Sequence, residues 1–415
     1  MNGRRLILLT LASGLLWGSM AAGETRTPTL RDVDGGSTYY AKFTHSLPSD
    51  PSYFPIGVWF ESVLEKADID KDRDAGINLY VVLTGNSDLR ILAANGMRAI
   101  LQASEWAHRA VAVESEAVAG WMLFDEVDMQ LGPRTGYQTL ADIVAKLPRD
   151  GRLRYNNYGK GVLFWETSAE AGRFVNEFQD IVSADAYWFT DNHLRTRYQG
   201  GALLMRSARD LTDAESRRAA NYGAVVRRMR ELVRPAGSKP VWHFVEVGHP
   251  FSEADWPSIK PAEVSAAVWS GIINGARGIV YFNHSFGGPA ITQHALRESA
   301  YAGIRAEVKR TNARITSLAP VLNAPFVDGL AIAEGSVDFM VKLYQGRFYL
   351  FAGSAAAAKQ HVRFKLPCVG DATVTVIDEN RSIPLENGGF SDYFADGNAV
   401  HLYRIDGGST CGLSP

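Results

Sequence analysis

Eight short apolar runs recur along residues 54–283, each continuous rather than alternating, with helix-like stretches between them. This rhythm restricts the fold more than any other feature of the chain. A strand with one wet face alternates apolar and polar residues. A strand covered on both faces reads as an unbroken run, which is the signature of a parallel sheet. The runs fall at 54–60, 77–83, 97–102, 119–124, 153–155, 181–188, 241–245 and 278–283, the fifth being weaker and leading into Asn156, Asn157 and Tyr158. Helical character is expected at 62–74, 136–147, 213–233 and 261–274, with Pro261 as a first-turn residue and Glu263 following it. Strand and helix in eight rounds over about 270 residues has the length and order of a (β/α)8 barrel. An open doubly wound sheet is the competing arrangement, and no glycine fingerprint follows the first run to favour it.

Beyond residue 322 the texture changes. Short β-like runs at 330–333, 337–344, 347–352, 361–366, 372–377 and 399–405 are separated by turns such as Gln345-Gly346 and Asn387-Gly388-Gly389. Regular short strands of this kind predict a small antiparallel β-sandwich. The expected division is a targeting segment at 1–23, a barrel with its lead-in at 24–322, and the sandwich at 323–415. In the first segment Arg4 and Arg5 precede an apolar stretch from Leu6 to Trp17, and small residues follow, the order of a secretory signal. That stretch is short and broken by Gly and Ser, so no stable membrane insertion is expected after cleavage. A secreted, periplasmic or cell-envelope location follows. In such a compartment the only two cysteines, Cys368 and Cys411, can form a disulfide that pins the tail. A net charge of −2 gives no reason to expect nucleic acid as a partner. No Cys or His cluster has zinc-ligand spacing, no nucleophile elbow or phosphate loop appears, and neither metal nor cofactor is expected.

The chemistry sits where the apolar runs stop. Glu126 follows the fourth run in Leu-Phe-Asp-Glu-Val-Asp, and Glu246 ends the seventh in Trp-His-Phe-Val-Glu-Val-Gly-His. In an eight-stranded barrel these strand ends open onto one mouth. Two carboxyl groups across a mouth are what glycosidic cleavage requires, one protonated and one ionised. Asp125 and Asp128 flank Glu126 with like charges that hold a proton on. Other strand ends carry planar polar groups and aromatic faces suited to a sugar ring: Trp59 and Glu61 at the first, Asn156 and Asn157 at the fifth, Asp185, Tyr187 and Trp188 at the sixth, Trp242 on the seventh with His249 just beyond, and Asn283 at the eighth.

Glu at the end of strand four, Glu at the end of strand seven, a full barrel and a following sandwich together resemble the clan A glycoside hydrolases over roughly residues 50–320. The resemblance implies a retaining enzyme acting on a β-linked oligo- or polysaccharide by double displacement, with Glu246 as nucleophile and Glu126 as general acid/base. One position departs from the clan, which usually carries Asn directly before the acid/base where this chain has Asp125. A carboxylate there can still accept a hydrogen bond from a sugar hydroxyl. The departure leaves two alternatives open: an inverting barrel hydrolase that uses Asp125 or Asp128 with Glu246, and a non-catalytic glycan-binding or scaffold barrel of the cell envelope.

Overall fold

The computed structural model describes residues 27–205 and 209–414; the targeting segment expected at 1–23 lies outside them. A first short strand, β1 (Thr29–Arg31), precedes eight strands that close into a parallel barrel: β2 (Ile56–Glu61), β3 (Leu79–Leu83), β4 (Arg98–Gln102), β5 (Val118–Asp125), β6 (Leu153–Tyr158), β7 (Ile181–Ala184), β8 (Val241–Glu246) and β9 (Ile279–Phe282). Closure is made by β9 pairing with β2, in register from Ile56↔Ile279 to Trp59↔Phe282. All eight strands coincide with the apolar runs. The sixth is shorter than its run, because the chain leaves the sheet at Asp185 and turns over itself, Thr190 and Asp191 both donating to the carbonyl of Tyr187.

Side chains alternate between two cores. Trp59, Leu79, Val81, Ile100, Leu153, Tyr155, Ile181, Trp242, Phe244 and Val280 fill the barrel interior. Ile56, Val58, Leu101, Val182, Val241 and Val245 face the helices outside. The bottom of the barrel is closed by the lead-in. Tyr39 and Tyr40 are buried there, Tyr39 donating to the carbonyl of Asp180 at 2.7 Å and Trp242 Nε1 donating to Tyr40 at 3.2 Å.

The helix expected at 213–233 is broken near Arg217 into Asp213–Ser216 and Ala219–Leu232. The helix Pro261–Ile273 begins with proline at its first turn, and the Glu263 carboxylate accepts from the Lys260 amide at 2.8 Å. Nine of its residues are buried, far more than an amphipathic helix hides, since it lies between barrel and C-terminal sheet. Trp269 stacks on Phe351 across that seam at 6.1 Å and 12°.

After the helix Ala302–Leu322 come β10 (Phe326–Asp328), β11 (Ile332–Glu334), β12 (Val337–Tyr344), β13 (Arg347–Ser354), β14 (Gln360–Lys365), β15 (Ala372–Val376), β16 (Arg381–Leu385), β17 (Gly389–Phe394) and β18 (Val400–Asp406). They form an antiparallel sheet β1-β10-β12-β13-β18-β15-β16 and a smaller one, β11-β14-β17, with a shared core of residues such as Leu350, Phe364, Phe390 and Tyr403. Three of these strands, β10, β16 and β17, have no counterpart among the expected runs. The lead-in also crosses over: β1 pairs antiparallel with β10. Cys368 and Cys411 are joined in a disulfide that ties the chain end to the turn before β15.

Replacing Trp269 by Ala removes a fully buried ring from the seam and is expected to cost about 3–5 kcal/mol. A fall in the denaturant midpoint checks this; a change below about 1 kcal/mol contradicts the packing described.

Candidate active site

The inward alternation that fills the barrel also builds its mouth. On β6 the inward positions are Leu153, Tyr155 and Asn157; on β7 they are Ile181 and Ser183, with Asp185 next in the same series, and Asn157 is in register with Ser183. On β5 the register shifts between Met122 and Asp125, and this irregularity brings Asp125 opposite Asn157. Glu126 follows with φ of 52°, a left-handed backbone that non-glycine residues seldom adopt, and its amide donates to the carbonyl of Asn157 at 3.1 Å.

These residues meet in a cavity of about 260 Å³ at the C-terminal ends of the strands. Its polar wall is Asp125, Glu126, Asn157 and Asp185, with the Lys160–Asp191 ion pair (2.8 Å) beside them. Its apolar wall is Trp59, Tyr187, Phe244, Phe251 and Phe282. Trp59 meets Phe244 edge-on at 5.4 Å, and Tyr187 leans on Phe282 at 5.1 Å.

Asn157 organises the acids. Its amide nitrogen donates to Asp125 and to Asp185, each at 3.0 Å, while its carbonyl accepts from Ser183 Oγ at 2.7 Å. Ser183 is in turn bonded to Tyr155 inside the barrel. With Ser183 fixing which way the amide faces, both of its N–H groups point at carboxylates. The carboxyls of Glu126 and Asp185 line the same cavity, and each acts on the ionisation of the other. Burial, followed by the charges of Asp185, Asp125 and Asp128, pushes the Glu126 carboxyl far above the ordinary carboxylate range. Asp125 is also raised, by burial and then by Asp185. Asp185 is raised by burial and drawn back by the Tyr187 hydroxyl and by the Asn157 amide that donates to it. Burial and mutual charge thus push all three carboxyls towards their protonated forms. Asp128 is spent elsewhere, accepting from the amides of Gly159 and Val162 at 3.0 and 2.7 Å, and so supports the turn after β6.

Of the residues expected to form the site, Glu126, Asp125, Trp59, Asn157 and Tyr187 line the cavity. Glu246 does not. It is fully buried, and its carboxylate accepts from Tyr222 at 2.7 and 2.8 Å and from Thr190 at 3.1 Å. The turn after β7 stands over it, with Tyr187 and Asp191 towards the cavity and Thr190 towards Glu246. Burial raises the Glu246 carboxyl to about 7, against the hydrogen bonds from Tyr222 and Thr190. The acid acting on it is Glu263, whereas those acting on Glu126 are Asp185, Asp125 and Asp128. Glu246 is thus held beneath the cavity lining by Tyr222 and Thr190, while Glu126 is part of that lining.

Others serve the scaffold. Glu61 and Asn283 bond each other at 2.6 Å, and Glu61 also meets His294 and Arg297, closing the seam between the first and last barrel strands. Asn156 points out of the barrel and accepts from the Phe124 amide at 2.9 Å. Trp188 is buried under the Gly200 turn. Trp242 lies deep in the barrel against Tyr155. His249 is held by Ser258 and the carbonyl of Glu253. Missing from the expected set are Lys160, Asp191, Phe244, Phe251 and Phe282, and the weight now carried by Asp185. Its place, the first polar residue after the sixth run, was the available signal. Among the described residues no group of three or more His, Cys, Asp or Glu could hold a metal ion, and no helix is long and apolar enough to cross a membrane.

No family model matches the chain, and no curated protein matches it. Solved structures do. A glycoside hydrolase family 5 protein from Bacteroides vulgatus superposes with a TM-score of 0.53 at 10% identity, over 86% of this chain and 90% of that one. A structure named only as a glycoside hydrolase gives 0.52 at 11% identity, over 86% and 93%. An α-amylase from Geobacillus thermoleovorans gives 0.50 at 10% identity, over 85% and 98%. At such identities the likeness establishes the fold: a (β/α)8 barrel followed by antiparallel sheets.

Replacing Asn157 by Ala removes the donor shared by Asp125 and Asp185. Both then bind protons more tightly, and their titration should move to higher pH by about one unit. Carboxyl 13C shifts report this directly, and an unmoved titration refutes the role given to Asn157.

Proposed function

We propose that the protein hydrolyses a glycosidic bond, with Glu126 protonating the leaving oxygen and Asp185 as its ionised partner. One observation carries this reading: a cluster of buried carboxyls, Glu126, Asp125 and Asp185, at the mouth of a barrel and facing aromatic rings. Glycoside cleavage needs a proton for a poor leaving group and negative charge for an oxocarbenium-like centre. Glu126 supplies the first, and Asp185 with Asp125 the second. Trp59, Tyr187 and Phe282 offer flat faces to the sugar ring. The structurally similar barrels named as glycoside hydrolases and an α-amylase support the reading, and in barrel enzymes generally the chemistry lies at this same end.

The substrate class we propose is a β-linked oligo- or polysaccharide, cleaved with retention. Glu126 and Asp185 share one small cavity, which suits the closer of the two carboxyl spacings used by glycosidases. The separation of about 5–5.5 Å used by retaining enzymes is a smaller opening than the 6.5–9.5 Å of inverting ones. Asp185 then attacks the anomeric carbon as Glu126 gives its proton to the departing oxygen, and Glu126 takes a proton from the water that releases the sugar. Glu246 has a positioning part, holding Thr190 and with it the turn that presents Tyr187 and Asp191. Action outside the cytoplasm belongs to the same proposal, supported by the signal-like N-terminus and the Cys368–Cys411 disulfide.

On a panel of β-glycans and aryl β-glycosides, Glu126→Gln should lower kcat at least about 10³-fold on unactivated substrates and less where the leaving group needs no proton. Glu246→Gln should retain most activity. Full turnover by Glu126→Gln sinks the proposal; loss confined to Glu246→Gln restores Glu246 as nucleophile. Proton NMR of the first-formed anomer reads the stereochemistry, with retention expected.

The pH profile follows from the signs. Glu126 must be protonated, so kcat/KM falls as pH rises through its elevated ionisation. Asp185 must be ionised, so activity also falls on the acid side once it takes up a proton. The alkaline limb should lie above the usual carboxylate range, leaving the enzyme active at neutral pH. An alkaline limb at about pH 4–5 contradicts the role given to Glu126.

A further inference from the structure

The mouth cavity has two unlike walls. Its carboxyls and the Asn157 amide come from β5, β6 and β7 or the residue just after each. Trp59, Phe244, Phe251 and Phe282 come from β2, β8, β9 and the connection after β8, the opposite arc of the closed barrel. The aromatic wall does not stop where the cavity does. Phe251 and Phe282 are bridged by Tyr187, whose ring centroid lies 6.4 Å from the first and 5.1 Å from the second. From Phe251 the rings continue to Trp256 at 5.0 Å, and from Trp256 to His193 at 4.9 Å. From Phe282 they continue to His284 at 5.1 Å, which meets Phe60 at 5.5 Å and Phe286 at 5.8 Å.

Both arms of this row end in solvent. The His193 side chain is 61% exposed and Phe286 is 41% exposed, with Trp256 half-buried between His193 and the cavity. Rings that only fill a core have no need to run out to the surface in two directions. The loops that carry them are also fixed. His249 bonds Ser258 at 2.9 Å and the carbonyl of Glu253 at 3.0 Å, closing the loop that bears Phe251 and Trp256. The Phe286 amide donates to the carbonyl of His249 at 2.8 Å, and Ser285 and Thr292 exchange backbone bonds at 2.8 and 2.9 Å. The His193 amide donates to the Asp191 carboxylate at 2.7 Å, and Asp191 lines the cavity. Rings held in place before a ligand arrives lose little freedom on binding it.

We propose that the protein binds an extended glycan chain along this row of rings and cuts it internally, with Trp256 holding sugar units on one side of the cleaved bond and Phe286 on the other. This mode of action rests on glycosidic cleavage at the mouth, as proposed above. A site that removes terminal units needs a closed end against which the chain stops. Here the aromatic wall passes the carboxyls and continues beyond them at both ends. Sugar rings present apolar faces to aromatic ones, and successive rings can take successive units of one chain. A chain laid there has units on both sides of the carboxyls, so hydrolysis leaves two shorter chains and releases no single end unit.

Soluble xylan, mixed-linkage β-glucan and galactomannan are the probes, each beside an aryl β-glycoside of its own sugar. Size-exclusion profiles at early conversion should show the average chain length of the cleaved polymer falling steeply before mono- or disaccharide accumulates. Trp256→Ala and Phe286→Ala should each lower kcat/KM on that polymer about tenfold more than on the aryl glycoside, which is too short to reach either ring. Release of end units from a polymer whose length barely changes overturns internal cleavage and leaves glycoside hydrolysis standing. So does an equal effect of both substitutions on polymer and aryl glycoside. An unsubstituted protein that cleaves no probe, polymer or aryl, overturns both. The product profile is read on the unsubstituted protein and stands whether or not a variant folds.

Discussion

The two-residue period of a strand, imposed on eight parallel strands that close on themselves, is the constraint from which the other features follow. Alternate side chains must enter a space with no solvent, so most are Leu, Val, Ile, Trp or Phe. Near the C-terminal end the same alternation continues after the apolar supply stops. Asn157 and Asp185 occupy inward positions for the reason that Tyr155 and Ile181 do, one pleat further along. The mouth is the last layer of the barrel interior, written in polar residues.

Polar groups at the top of a dry interior are costly unless each finds a partner. The chain Tyr155–Ser183–Asn157 spends the barrel's buried hydroxyls on fixing one amide, and that amide spends both its hydrogens on acids. Three carboxyls then share too few positive neighbours to be ionised together, and Lys160 beside them is taken by Asp191. Burial and three acidic neighbours all push the Glu126 carboxyl towards its protonated form.

Much of this was legible in the residues. Eight unbroken apolar runs imply eight doubly covered strands, and each run proved to be one. Asp125, Glu126 and Asn157 were readable because their strands end abruptly in polar residues. Glu246 shows the limit of that logic. It ends its strand as cleanly as Glu126 does, yet Tyr222 and Thr190, 24 and 56 residues away in sequence, draw its carboxylate away from the cavity. Hydrogen-bond partners at such separations leave no trace in local pattern. Strands β1 and β10 escaped notice for a related reason: three residues are too few to show a period, and they are strands because they pair with each other.

By itself, then, the sequence determined the class of fold, the order of the strands and the end of the barrel where chemistry gathers. Those depend on periodicity and on where apolar runs stop, both of which are local. The tertiary structure alone decided which acids meet. The meeting of Asp125, Glu126 and Asp185 in one cavity depends on the register of β5, β6 and β7, on the shift after Met122 that brings Asp125 opposite Asn157, and on the turn that stands over Glu246. Electrostatic coupling falls off over a few ångströms. Only the folded chain brings residues 125, 126 and 185 into one cavity and sets Glu246 against Tyr222 and Thr190.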